Sequence, residues 1–444
     1  MRRPVPARYA HLARMLGTDR LGGQTVVAFG LKIANAGASF GLSLIVARLF
    51  GASGSGHFGI AVTTVTILSY IVLGGLDYTV VRTAAGDLRE GKQGAARGVV
   101  SRAAQIVALA SVTIIGLLWL ARTSVARDIL RQPGMVGLLG IMLWAVVPLA
   151  MQRIASAALR SSGRIIASQV IDGPLGTACA VLGLGIMVLL HRVDVLEVPG
   201  WFYVTGLGIG AGAGWLVYLR SVRTWPKAEP ALAWPLLAAG LPVVALNLSN
   251  AFTEWYTTVS LGSYWPAAVV GQYRAAWQFV AIAGLVQVAM DTIIGPRIAA
   301  AARVGATHEI ALVARKSILL VLLLGGPLFL MLILFPSRLL GIFGPGFGGG
   351  ALALQILAVG QLVRLASGPL GSILFMTGNQ RWMLAYSVMG VLLCMGFVAV
   401  LVPLYGAVGA ALATGATVIL RNLAAGIIVH RVLGIDLFRR TRPA

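Results

Sequence analysis

Cysteine is almost missing from this chain: two copies, Cys179 and Cys394, both within apolar runs, leave no disulfide framework and no thiolate metal site to build. The five histidines (His11, His57, His191, His308 and His430) are scattered without ligand spacing, so no metal is expected. Charge is scarce as well, at 11% of residues, against about 25% in soluble domains. Acids are the scarcest class, 13 Asp and Glu against 35 Lys and Arg. With no nucleophile motif, metal cluster or phosphate-cradling loop, the chain has no catalytic residues to name and does not read as an enzyme.

What it has instead is apolar sequence, 58% of residues, in long runs such as Ala103 to Ala121 and the stretch from Ser317. Each is long enough to cross a hydrocarbon core of about 30 Å, which takes roughly 20 helical residues. Expected spans lie near 24–50, 58–81, 103–121, 136–158, 167–190 and 201–219, then 235–261, 269–294, 317–335, 351–375, 383–403 and 408–429. The expected fold is an all-α polytopic membrane protein of about twelve transmembrane helices.

The net charge of +22 follows from topology. With the N-terminus in the cytoplasm, 24 of the 35 cations fall in inward tails and loops. Only five, Arg122, Arg127, Arg131, Arg192 and Arg338, fall in outward loops. The positive-inside rule therefore places both termini in the cytoplasm. No basic soluble domain remains to bind nucleic acid. The segment after the basic tail is too long for a signal-peptide core, so the tail is expected to stay, resting on anionic lipid.

The sequence repeats itself. Gly56-His57-Phe58-Gly59 matches Gly271-Gln272-Tyr273-Arg274 at an offset of 215, and the same offset pairs Arg82 with Arg297, Ser162 with Thr377 and Gly163 with Gly378. The reading is a duplicated six-helix lobe. A basic cytoplasmic tail (1–23), an N-terminal lobe (24–219), a Pro- and charge-rich linker (220–234), a C-terminal lobe (235–429) and a basic tail (430–444) follow. An even number of spans gives both lobes the same orientation about an axis along the membrane normal. The glycine run Gly206, Gly208, Gly210, Gly212, Gly214 reads as close helix contact.

The six remaining cations lie inside spans: Lys32, Arg48, Arg153, Arg274, Arg364 and Arg421. A charge at mid-bilayer costs about 2.5–3.5 kcal/mol even on insertion scales, so the deep ones face protein or a cavity. Lys32, Arg364 and Arg421 lie deepest, Arg48 and Arg274 toward the outer face, and Arg153 near enough to the cytoplasm to snorkel. A cavity lined by Lys32, Arg364, Arg421, Arg48 and Arg274 would hold a phosphate or diphosphate by charge-assisted hydrogen bonds. The alternative is that each pairs with a buried acid or carbonyl. Asp77 with Arg82, and Asp291 with Arg297, read as helix-end charge pairs. Glu254, beside Asn247, Ser249 and Asn250, reads either as a proton or sodium coupling site or as a partner for one of the arginines.

Four stretches, ARLFGASGSGHFGIAVTTVTILSYIVLGGLDYTVVRTAAG from Ala47, VGQYRAAWQFVAIAGLVQVAMDTIIGPRIAAA from Val270, LLGIFGPGFGGGALALQILAVGQLVR from Leu339 and YGAVGAALATGATVILRN from Tyr405, resemble Wzx-like oligosaccharide flippases. These belong to the multidrug/oligosaccharidyl-lipid/polysaccharide (MOP) superfamily, and the resemblance runs from about Gly22 to Gly434. It implies two six-helix lobes around a cationic cavity that opens alternately to each side. It further implies an undecaprenyl-diphosphate-linked O-antigen, exopolysaccharide or capsule unit as substrate, the bacterial inner membrane as location, surrounding lipids as partners, and a glycan polymerase and export machinery as neighbours. No cofactor is implied beyond a coupling proton or sodium ion. Two rivals stand beside it: an ion-coupled multidrug exporter, which would want an acidic cavity, and a membrane glycan polymerase or ligase, which would want a large outward loop.

Overall fold

The computed structural model describes residues 20–191 and 193–435; the expected basic tails at 1–23 and 430–444 lie largely outside these residues, as does Arg192. Among the described residues every regular element is a helix. Nine helices among the described residues are long and apolar enough to cross a bilayer. In lipid no water pairs with backbone N–H and C=O, so helices that satisfy themselves are what such apolar runs form.

The elements used below are α1 (Arg20–Leu73), α2 (Leu76–Arg89), α3 (Gln93–Leu120), α4 (Pro133–Ser161), α5 (Ile165–Leu189) and α6 (Glu197–Ser221). They continue with α7 (Ala233–Tyr264), α8 (Ala267–Ala283), α9 (Leu285–Arg303), α10 (Thr307–Leu334), α11 (Gly348–Ser367), α12 (Leu370–Met376) and α13 (Gln380–Leu433). Both α1 and α13 are two spans joined at a glycine, Gly51 with φ 65° and Gly406 with φ 55°. These positive angles suit only a residue without Cβ. Counting each as two and adding α7 gives twelve spans in two six-helix lobes.

The duplication is visible in the elements themselves. The 3-10 turns Pro133–Met135 and Gly348–Gly350 stand 215 residues apart. So do the helix ends at Ser161 and Met376 and the helix starts at Ile165 and Gln380. Gly163 and Gly378, paired on sequence alone, both turn the chain with left-handed backbone, φ 80° and 78°.

The lobes meet where the second arm of α1 crosses α8. A Cβ on Gly56 would strike the Ala267 carbonyl, and one on Gly271 would strike the Ala52 carbonyl. Since 52 and 267 are themselves 215 apart, the contact is its own mirror under the repeat. At a second depth Gly75 (φ 73°) packs on Gly240 of α7. Close backbone approach through glycine is how helices associate in lipid, where burial of apolar surface gives no drive.

The glycine run of α6 divides into two faces. Gly206, Gly210 and Gly214 pack against Gly176, Gln152 and Ile171, whereas Gly208 and Gly212 have open space around them. Only every fourth residue faces the lobe interior, as helical geometry requires. Outward leucines are left bare, Leu319 at 69% and Leu323 at 71% exposure, a surface that only hydrocarbon would cover. The linker lies along α3, with the Glu229 N–H donating to the Gly94 carbonyl (3.1 Å) and Arg97 to the Trp225 and Pro226 carbonyls.

Candidate substrate cavity

The C-terminal lobe encloses two adjoining chambers that share the side chains of Arg364 and Arg421. One, of about 310 Å³, lies between α7, α8, α11 and α13. The other, about 380 Å³, is lined by Gln287, Asp291, Tyr386 and Asn422 as well as the arginines.

Arg364 sits in the last turn of α11, which ends because Gly368 (φ 80°) and Pro369 cannot continue it. Its guanidinium is therefore near the negative end of the helix dipole, and Nη1 donates to Gln361 Oε1 at 3.3 Å. Arg421 crosses the backbone of Gly390, where an added Cβ would come within 2.9 Å of its Cδ. Nη1 donates to Asn250 Oδ1 at 3.3 Å, and the guanidinium lies 6.0 Å from the Tyr386 ring centroid. Among the described residues three salt bridges occur, and neither arginine takes part in one. Two guanidinium groups thus face one space with amide oxygens as their hydrogen-bond partners, an arrangement suited to binding phosphate oxygens.

The other expected cavity cations do not line these two chambers. Lys32, exposed in the N-terminal lobe, lines a smaller pocket of about 180 Å³ together with Asn35, Gln169, Asp172 and Gly173. There α5 is distorted by a π turn at Ile171–Leu175 containing Gly173 and Pro174, and Asp172 lies 4.0 Å from Arg160. Arg48 is exposed at the far end of the first arm of α1, where Nε donates to the Ile342 carbonyl of the other lobe at 2.7 Å. Arg153 stacks over the Tyr70 ring, 4.1 Å from its centroid.

Arg274 and Glu254, expected separately as cavity cation and coupling acid, are bonded to each other at 2.5 Å. The Arg274 side chain is 14% exposed and lies against Gly59. Gly59 is the residue that the repeat pairs with Arg274, so the two facing copies of one position hold a glycine and an arginine. Only one of them has room for a long side chain.

The expected charge pairs Asp77 with Arg82 and Asp291 with Arg297 do not form within 4.0 Å. Asp291 instead accepts from Gln287 Nε2 at 3.1 Å and lines the second chamber with Arg364. Six residues apart on a helix, Asp291 and Arg297 point in different directions, while Gln287, four before, shares the aspartate's face. Sequence reasoning also passed over Gln361, Thr414 and Thr417, which line the first chamber. A signal was present: 250, 253, 254 and 257 on α7, and 414, 417 and 421 on α13, are polar residues at helical spacing in otherwise apolar segments.

No family model and no curated protein matches the sequence. Solved structures do match in fold. A multidrug resistance MATE family transporter of the MOP superfamily, in an inward-facing conformation, superposes with TM-score 0.75 at 13% identity over 92% of this chain and 98% of the other. The lipid II flippase MurJ in an inward closed conformation gives 0.72 at 14% identity, over 91% and 87%. A MOP superfamily transporter from Pyrococcus furiosus, described by the reversed polarity of its binding pocket, gives 0.66 at 14% identity over 95% and 98%. The fold is that of MOP transporters and flippases, and the chain is a multi-pass membrane protein.

Proposed function

We propose that this chain is a Wzx-like flippase that carries an undecaprenyl-diphosphate-linked oligosaccharide from the cytoplasmic to the outer leaflet of a bacterial inner membrane by alternating access. The glycan would be an O-antigen, exopolysaccharide or capsule unit, handed on to a polymerase and export machinery. The observation that carries the reading is the pair Arg364 and Arg421 at the junction of two chambers, two cations in no salt bridge among the described residues and facing a single carboxylate, Asp291, across the larger chamber. Leaving such charges in a lobe interior is costly unless an anion visits them. Both termini are assigned to the cytoplasm on the 24-to-5 charge asymmetry.

A multidrug exporter shares the fold. Cationic drugs, however, need carboxylates, and here Glu254 is bonded to Arg274, Asp172 lies 4.0 Å from Arg160, and Asp291 shares its chamber with two guanidinium groups. The anion reading is tested with Arg364→Gln and Arg421→Gln in the purified protein. Each should weaken binding of a prenyl diphosphate about tenfold or more, since a charge-assisted hydrogen bond contributes roughly 1.5–3 kcal/mol. Thermal stability should stay near wild type. Undiminished binding in both variants would refute the reading and favour the multidrug alternative.

A further inference from the structure

The 310 Å³ chamber has a wall that the anion reading leaves unused. Beyond the arginines it is lined by Thr257, Thr414 and Thr417, all under 8% exposed, with Gln361 and Trp277. Each threonine donates its hydroxyl to the carbonyl four residues earlier: Thr257 to Thr253 (2.8 Å), Thr414 to Ala410 (2.8 Å) and Thr417 to Ala413 (2.7 Å). Their hydrogens are therefore engaged; Thr257 Oγ1 also lies 3.6 Å from the Cys394 sulfur, and the lone pairs that remain are what the threonines offer the chamber. A buried polar wall around a space of this size calls for a polar occupant.

The wall's chemistry restricts that occupant. The carboxylate on it, Glu254, is bonded to Arg274, and two guanidinium groups face the same space, so a cation is repelled. A second anion deeper in the chamber would meet threonine acceptors that have no proton to give. A ligand with several hydroxyl donors, joined to an anionic group held at the arginines, satisfies both ends. The indole of Trp277 adds an apolar surface for the C–H face of a ring.

We propose that this chamber is a sugar subsite, which receives the sugar residue attached directly to the diphosphate, and that Thr257 and Thr417 set the preference for glycosylated over bare carrier. The inference rests on the flippase reading and deepens it. It predicts that the protein distinguishes loaded from unloaded lipid carrier at the first sugar, before any contact with the rest of the glycan.

The test uses the purified full-length protein and two kinds of probe: farnesyl diphosphate, and farnesyl diphosphate carrying one glucose, galactose or N-acetylglucosamine. At least one glycosylated probe should bind wild type tenfold or more tighter than the bare one. In a Thr257→Val, Thr417→Val double variant that ratio should fall to about one, and in the Thr257→Ser, Thr417→Ser variant it should return. Thr414 is left alone because its Oγ1 is 3.1 Å from the Tyr273 hydroxyl, which a valine would strand. Equal binding of bare and all glycosylated probes by wild type, or a ratio unchanged in the valine variant, would overturn the sugar subsite and leave the flippase reading standing. Binding of both probes with wild-type affinity by Arg364→Gln and Arg421→Gln would overturn the flippase reading, and the subsite with it.

Discussion

A methyl group at Gly271 should hold the two lobes apart at one end of the molecule. The ideal Cβ position there collides with the Ala52 carbonyl and comes within 3.1 Å of the Gly56 backbone nitrogen. These are atoms of the facing helix backbone, which cannot rotate aside as a side chain would. The helices must separate, and overpacking of this kind costs about 1–3 kcal/mol. That cost is paid only in the state where α1 and α8 touch. In an alternating-access protein it therefore shifts the equilibrium toward the state open at this end, by roughly 5- to 150-fold for that range.

Ser55 reports the change, because it is 8% exposed and lines the narrow space beside Arg274 where the lobes close. In a background with Cys179 and Cys394 replaced, Ser55→Cys should react with an impermeant thiol reagent outside intact cells roughly 5- to 150-fold faster once Gly271→Ala is added. Gly56→Ala, which strikes the Ala267 carbonyl by the same geometry, should do likewise. The double variant should fall short of additivity, because the first methyl already opens the gap that the second needs. Gly212→Ala, with nothing within 4 Å, is the control. Unchanged Ser55→Cys reactivity in both glycine variants, at unchanged abundance, would refute the argument that this contact closes the end.

Three further outcomes are expected. Cysteines at Lys92 and Ala228 should be protected from the impermeant reagent while those at Ser53 and Gly348 label; the reverse pattern would invert the assigned topology. These four positions are exposed. Glu254→Gln removes the charge bonded to Arg274; transport into vesicles should then lose its dependence on an imposed proton or sodium gradient, and full retention of that dependence would remove Glu254 from coupling. Arg48→Gln takes away the donor to the Ile342 carbonyl, and should raise Ser55→Cys labelling by a smaller factor than Gly271→Ala, since one exposed hydrogen bond contributes about 1 kcal/mol.

Class and span number could be read from the sequence, because length and hydropathy are properties of single segments. Boundaries were less legible. The second span was expected to run from 58 to 81, but the helix breaks at Gly74 and Gly75, whose φ values are 50° and 73°. Glycine pairs occur inside many membrane helices, and what makes this one a break is its packing on Gly240, 165 residues away. Site residues were harder still. Position along a span gives the depth of a charge but neither its azimuth nor its partner. Lys32, Arg364 and Arg421 were grouped by depth across the two expected lobes, and depth alone did not show that the two arginines share chambers that Lys32 does not line. Arg274 and Glu254 were both singled out, and their bond lay hidden because they stand on different helices.

The repeat gives those differences a common cause. Duplication supplies two copies of one scaffold, so chemistry that belongs to one lobe must reside where paired positions have diverged. By the offset of 215, Arg274 answers to Gly59 and Arg364 to Leu149, while Lys32 answers to Asn247 and Asp172 to Ser387. At these positions each lobe lacks the charge of the other. The Gly59 and Arg274 pair shows why this is not free variation: the two residues face each other across the lobe contact, and an arginine on both sides would set two guanidinium groups into one narrow space. Symmetric packing at Gly56 and Gly271 coexists with asymmetric charge one turn away. On the proposed reading, a carrier built this way would close by a symmetric motion and still present an anion with a single seat, in the lobe that holds Arg364 and Arg421.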